Sequence, residues 1–241
     1  MPPGAVSDCL LSIALRTSVQ AGVSPGRAGE LCRATLKRMH RGYDMNRPHF
    51  EGWHLLGAFP DDAPDDVGSW LLVSNEEAML LEVPPGVTAE IVESALDRAG
   101  ATLRFVTASH DHYDHLDVEA WDGLFAAFEG ATFIHPRAIS RHHDLMLRVG
   151  GEPVWLIKAP KHSASDVVTV FRGVAMTGDI ETGMLASVNK EVPLPTKRKS
   201  MDWLREFPER SGYHVHSTVS AHLNSVRRSV RWPDLFKCGQ G

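Results

Sequence analysis

A layered α/β or α+β sandwich is the fold class this sequence predicts, and three observations carry it. Short apolar runs of strand length outnumber the longer segments with helical spacing. The two kinds alternate irregularly, without the strict βαβ rhythm of a doubly wound sheet. The Gly-rich first turn of a dinucleotide-binding sheet is also missing. With 241 residues, 43% of them hydrophobic and 23% charged, the chain is long enough to bury a sizeable core.

Residues 8–20 and 25–41 have helical spacing, the second with Ser24 as N-cap, Pro25 in the first turn, and Leu31, Leu36 and Met39 on related faces. Residues 1–50 are therefore expected to form an N-terminal helical extension, and residues 51–241 the main domain. Pro, Gly and Asp crowd residues 45–69, which mark turns and the entry to that domain. Within them Trp53, Leu55, Leu56 and Phe59 are expected to pack against an outer sheet rather than to line a substrate groove.

From Ser69, "SWLLVSNEEAMLLEVPPG" reads as a hairpin that breaks at Pro84, Pro85 and Gly86. Residues 88–100 follow as a helix, capped by Thr88 and ended by Gly100. "TLRFVTA" is then a strand. Beyond it the spacing predicts a helix over 117–129, a strand over 131–135, a helix over 136–148 and a strand over 154–159. Two more strands follow in "VVTVF" and "GVAMTGD", then a helix over 200–210 and a strand over 213–220. The Pro-containing stretch 181–203 reads as a long loop, and loops of that length often act as gates. Changes there are expected to alter substrate range more than metal content.

A net charge of −5 supplies no basic surface for nucleic acid or for an acidic membrane. The basic runs at 197–200 and 227–231 read as solvated faces. Cys9, Cys32 and Cys238 are odd in number and lack a C-x-x-C pair, so neither a disulfide framework nor a thiolate zinc site is expected. The N-terminus carries Asp8 and no Lys or Arg ahead of its short apolar run, unlike an export signal. No apolar stretch reaches the roughly 18 residues of a bilayer span. The expectation is a cytoplasmic protein with a small-molecule substrate, no nucleic-acid or membrane partner, and a homodimer as the natural higher state.

The chemistry concentrates in "VTASHDHYDHLDVEAW", residues 106–121, where a predicted strand ends. In extended backbone His110 and His112 share one side, and Asp114 and His115 follow as the chain turns. Neutral imidazole and ionised carboxylate suit zinc and related divalent ions. Three later residues, His162, Asp179 and His222, each lie just past a predicted strand, and strand ends are where a sheet delivers groups to one rim. His214 and His216 compete with His222 for the last place, which is assigned to His222. His142 and His143 read as solvent-facing on a polar helix, and His135 as a packed or surface residue. His40, His49 and His54 belong to the extension or its linker.

His110 to His115 match in full the H-x-H-x-D-H signature, and the chain over roughly 68–224 resembles the metallo-β-lactamase superfamily. The resemblance implies a four-layer αββα sandwich of two similar halves. It also implies two divalent metal ions, zinc first, with iron or manganese as alternatives. One metal would take His110, His112 and His162, the other Asp114, His115 and His222, and Asp179 would bridge them. Three positions depart from the family pattern. Glu82 stands where many members have an aspartate, and its extra methylene is expected to alter or remove an outer hydrogen bond to a ligand. Lys161 replaces a glycine before His162, and Ser165 falls at a small-residue position, so a changed loop shape is expected.

Two cations sharing one water lower its pKa from about 15.7 towards 7. The reaction this implies is hydrolysis, with a metal-bridging hydroxide attacking the carbonyl of a small ester, lactone or thioester. Asp114 would be both ligand and the catalytic orienter of that nucleophile. Asp111 should point away and stabilise the loop, while Tyr113 either faces outward or serves as an oxyanion donor. The alternatives are an iron-dependent oxidoreductase or dioxygenase on the same residues, and a non-catalytic metal-binding scaffold.

Overall fold

Strand pairing divides the described residues into two sheets. The computed structural model describes residues 50–59, 67–180, 191–222 and 230–237. The predicted helices over 8–20 and 25–41, with His40, His49 and the three cysteines, lie outside the described residues. The first sheet runs in the order β1 (Trp53–Phe59), β2 (Val67–Ser74), β3 (Glu77–Leu81), β4 (Thr102–Thr107) and β5 (Thr132–Ile134). Its first three strands pair antiparallel, and β3, β4 and β5 are parallel. The second sheet holds β6 (Asp144–Val149), β7 (Glu152–Lys158), β8 (Val167–Phe171), β9 (Val174–Met176), β10 (Ser217–Val219) and β11 (Val230–Arg231). Their spatial order is β11-β10-β9-β8-β7-β6, and only β9 and β10 pair in parallel.

Period-2 alternation decides the layering. In β2 and β3, Leu71, Ala78 and Leu80 pack with Val92 and Leu96 of α1 (Ala89–Ala99) and Leu124 of α2 (Val118–Ala127). On the opposite face Trp53 meets Trp70 edge-on at 6.1 Å and reaches Phe171 of the other sheet at 6.3 Å. Its indole N–H donates to the Phe171 carbonyl. Removing a fully buried side chain of this size costs about 3–5 kcal/mol. In β8, Val168 and Val170 turn the other way, onto Met201 and Leu204 of α3 (Leu194–Arg205) and Phe207 of α4 (Phe207–Ser211). The result is the αββα sandwich. No helix among the described residues is long and apolar enough to cross a membrane.

Four local expectations are corrected. Residues 144–149, expected in a helix over 136–148, form β6. Met146 and Arg148 are exposed while Val149 is buried, a strand's alternation, and Gly150 and Gly151 turn the chain back into β7 with φ of 55° and 87°. A Cβ on Gly150 would sit 1.9 Å from the Ser74 carbonyl oxygen, so only glycine allows this turn to lie against β2. Next, β1 falls inside the stretch read as turns. The helix expected over 200–210 begins earlier, at Leu194, because Pro195 in a first turn gives up no hydrogen bond. Last, β10 is shorter than the run 213–220.

One edge of the sandwich collects the strand ends that matter. Leu81 pairs with Thr107, Met176 with Val219 and Lys158 with Val167, so the chain leaves β3, β4, β7, β9 and β10 on the same side. Val167 N–H donates to the Ser109 carbonyl at 2.7 Å, and Gly68 N–H to that of Ala221 at 3.0 Å. These bonds tie the two sheets together beside the site.

Candidate metal centre

The loop after β4 changes conformation midway. The chain bends at Ser109, His110 and His112 rather than running extended, and then the N–H groups of His115 and Leu116 both donate to the His112 carbonyl. That turn sends Asp114 and His115 to a second direction. It is held by Asp117, whose carboxylate accepts from Ala120 N–H at 2.8 Å and caps α2.

The donors converge in two groups that share Asp179. His110 Nε2 and His112 Nδ1 are 3.1 Å apart, and His162 Nε2 lies 3.2 Å from the same Nδ1. On the other side, Asp114 Oδ2 and Asp179 Oδ1 stand 3.6 and 3.3 Å from His115 Nε2, and His222 Nε2 is 3.1 Å from Asp179 Oδ1. Asp179 Oδ2 faces the first group, 3.5 Å from His162 Nε2 and 4.0 Å from His110 Nε2. Each of its oxygens thus serves one group.

The supporting contacts set the ring orientations. Glu82 is fully buried, with φ of 70°. Its Oε2 accepts from His115 Nδ1–H at 3.1 Å and its Oε1 from Ser109 N–H at 3.0 Å. The outer hydrogen bond expected to be altered or lost at Glu82 is therefore present. His110 Nδ1 and Ser109 Oγ share a hydrogen bond at 3.0 Å. Both rings thereby turn Nε2 toward the cluster. Asp166 holds the His162 loop by accepting the N–H groups of Lys161, His162 and Ser163. Asp111 turns away as expected, accepting from Ser165 Oγ and Arg137. Gly178, at φ 56°, brings Asp179 against the loop: a Cβ there would meet Ser109 Oγ at 2.6 Å.

Electrostatics follows burial and neighbours. Burial, then the charge on His115, drives His110 down to about 2, so its imidazole is neutral. Burial also lowers His162. For His115 burial works the other way from the result: the carboxylates of Glu82 and Asp179 overcome it and push the ring up to about 10 in the absence of a cation. Burial would raise Asp179, but the ring nitrogens of His115 and His222 hold it well below the carboxylate range. Burial pushes Asp166 up to about 6, against its three backbone donors.

The donor set fits a divalent cation. Metal–nitrogen bonds of about 2.0–2.1 Å in a tetrahedron place neighbouring donors about 3.3 Å apart, close to the 3.1 and 3.2 Å between these imidazoles. Three imidazole nitrogens so close together face one point, the arrangement that donors around a single ion require. His115 Nε2 and Asp179 Oδ1 are buried and make no hydrogen bond of good geometry, although they lie 3.3 Å apart. They point into a common space rather than at each other. His110, His112 and His162, then His110, His115 and Asp179, then Asp114, His115 and His222 form three groups whose donor atoms all lie within 4.8 Å.

All seven residues singled out in the sequence meet here. His222 takes the last place over His214 and His216 because β9 and β10 are in parallel register: Asp179 follows Met176 by three residues, and His222 follows Val219 by three. His216 lies at the other end of the pair, against Gly173. Tyr113 is 63% exposed. His142 is half-buried in a turn and contacts Ser200 Oγ, rather than facing solvent on a helix, and His143 is exposed in the same turn. His135 caps the 3-10 turn Pro136–Ala138. Ser109, Asp166 and Gly178 went unrecognised in the sequence; the small and acidic residues flanking each histidine were the available signal.

No family model and no curated protein matches the chain. Solved structures do. A metallo-beta-lactamase from Cronobacter sakazakii with an HARLDQ motif is 15% identical over 73% of this chain and 77% of its own, with a TM-score of 0.51. A metallo-beta-lactamase family protein from Thermus thermophilus gives 18%, 77%, 78% and 0.50. ETHE1 from Myxococcus xanthus gives 16%, 73%, 79% and 0.51. At such identities the likeness establishes the fold, and this chain has the metallo-β-lactamase fold.

Proposed function

We propose that this chain is a metal-dependent hydrolase that holds two divalent cations, zinc first, and cleaves a small ester, lactone or thioester at its carbonyl. The observation that carries the reading is the division of Asp179, one oxygen toward each donor group. His110, His112 and His162 would hold one cation, and Asp114, His115 and His222 the other. Such a pair, when bound, activates water near neutral pH and polarises a carbonyl.

The chain's own residues do the rest. Glu82 and Ser109 meet the Nδ1 atoms of His115 and His110, so both rings are oriented with Nε2 toward the cluster before an ion arrives. Asp114 is 42% exposed, unlike His115 beside it, and so reaches both the donor group and the solvent side where substrate enters. It is the residue we assign to orient the attacking water and hold its proton. The donor set contains no thiolate, which favours zinc, manganese or iron over softer ions. The same residues with iron would support an oxidoreductase instead. In this reading the substrate is a small molecule and the protein is cytoplasmic.

Elemental analysis of protein purified without added metal tests the proposal, followed by a screen of lactone, thioester and phosphodiester compounds. Two equivalents of zinc with carbonyl-ester turnover are expected. Stoichiometric iron with oxygen consumption would replace the hydrolase by the oxidoreductase. Absence of any bound metal would remove both.

A further inference from the structure

A histidine that gives one ring nitrogen to a metal must satisfy the other, and metal-bound imidazoles usually do so with a carboxylate, a carbonyl or water. His115 uses Glu82 and His110 uses Ser109. His112 differs in its ring orientation. Its Nδ1 faces the cluster, 3.1 and 3.2 Å from the Nε2 atoms of His110 and His162, so its Nε2 points out of the cluster. The group that meets it is Glu191, whose Oε2 lies 3.7 Å away.

Glu191 belongs to neither motif loop. It precedes Val192, which is buried, and α3, which begins at Leu194. Its other oxygen, Oε1, accepts the N–H of Ala164 at 3.1 Å, two residues beyond His162. One carboxylate therefore spans from the His112 ring to the loop that carries His162, joining ligand segments from both sheets. An exposed ion pair of this kind is ordinarily worth about 0–1 kcal/mol. Two features separate it from that class. Oε1 is pinned by a backbone donor, so Oε2 has a set direction. And once Nδ1 is a lone-pair donor, Nε2 must carry the hydrogen. A gap of 3.7 Å is one that a single water bridges or a small side-chain rotation closes.

We propose that Glu191 is a positioning residue for His112, the outer carboxylate that orients this ring and fastens the segment ahead of α3 to the metal centre. The proposal rests on the reading of His112 as a ligand. It also departs from the expectation that changes between 181 and 203 affect substrate range more than metal content, since at this position metal affinity is what changes.

Zinc dissociation constants of the full-length protein, measured by competition with a chromogenic chelator, test the role in wild type, Glu191→Ala and Glu191→Gln. Glu119→Ala on the exposed face of α2 serves as control. Glu191→Ala is expected to weaken one zinc equivalent by about 10–100-fold, and to shift the absorption spectrum of the cobalt-substituted protein. Its metal-free melting midpoint should match wild type. Glu191→Gln keeps an acceptor oxygen and should recover part of the loss; Glu119→Ala should change nothing. Wild-type affinity in Glu191→Ala overturns the role of Glu191 and leaves the metal reading standing. A metal-free melting midpoint lowered in proportion to the affinity loss overturns it as well, since Glu191 would then be a structural contact. Wild-type protein that binds no zinc removes both.

Discussion

His115 and His112 face the same cluster, yet they are supported in opposite surroundings. The His115 ring and the Glu82 carboxylate that meets it are both fully buried. The His112 side chain is 35% exposed, and Glu191 beside it 38%. Inside the sandwich water cannot substitute for a lost partner, so the Glu82–His115 contact belongs to the folding of the protein as much as to its chemistry. At the rim water can stand in, and the same device acts on orientation with little bearing on the fold. The centre is thus built with one side set by the core and the other open to whatever approaches the mouth.

Glu82→Ala strikes the buried side and should have the largest effect. It leaves Ser109 N–H without its acceptor and His115 Nδ1 with only the longer 3.4 Å contact to Ser109 Oγ, and breaking such a buried pair costs about 3–5 kcal/mol. Urea unfolding of the metal-free protein measures it; unchanged stability would erase the distinction between the two sides. Gly178→Ala comes next. Its φ of 56° is strained for alanine, and the added Cβ meets Ser109 within 2.7 Å. A loss of about 1–3 kcal/mol should accompany weaker metal retention, because Asp179 is the next residue.

His112→Ala sharpens the contrast from the rim side. It should lower stability by about 1 kcal/mol or less while zinc content drops by one equivalent and turnover falls to background. Elemental analysis with thermal melting checks both, and a large stability loss with full zinc content would reverse the assignment. The smallest effect concerns Lys158 in β7, which donates to the Pro136 carbonyl at 2.8 Å. Burial lowers its amine from 10.5 to about 8. Between these values the unfolded chain holds a proton that the folded chain has released, so the contribution of Lys158 to stability rises with pH across that window. The penalty is complete below about pH 8 and gone above 10.5. In Lys158→Met this part of the slope should vanish, as read from the difference between the two proteins' unfolding midpoints; parallel slopes would contradict it.

Much of the centre was legible in the order of residues. The cluster at 110–115 declares itself by composition, and His162, Asp179 and His222 by lying past apolar runs. The choice among His214, His216 and His222 was not legible in the same sense, since all three adjoin one apolar run. Glu82 was misjudged from side-chain length alone: its reach to His115 depends on the backbone turn at φ 70° as much as on the number of methylenes. Residues 144–149 carry apolar groups that satisfy either a helical or a strand period, and a short run leaves those two readings balanced.

By itself the sequence determined the identity and chain order of the donors, the apolar runs of the two sheets, and the caps of α1, because each depends on residues adjacent along the chain. Tertiary structure alone decided which histidine joins Asp179, that Asp166 gathers the N–H groups of the His162 loop, and that Glu191 faces His112. Those outcomes turn on strand register and on groups dozens of residues apart meeting at a few ångströms. No local pattern encodes such distances; they follow from how two sheets pack.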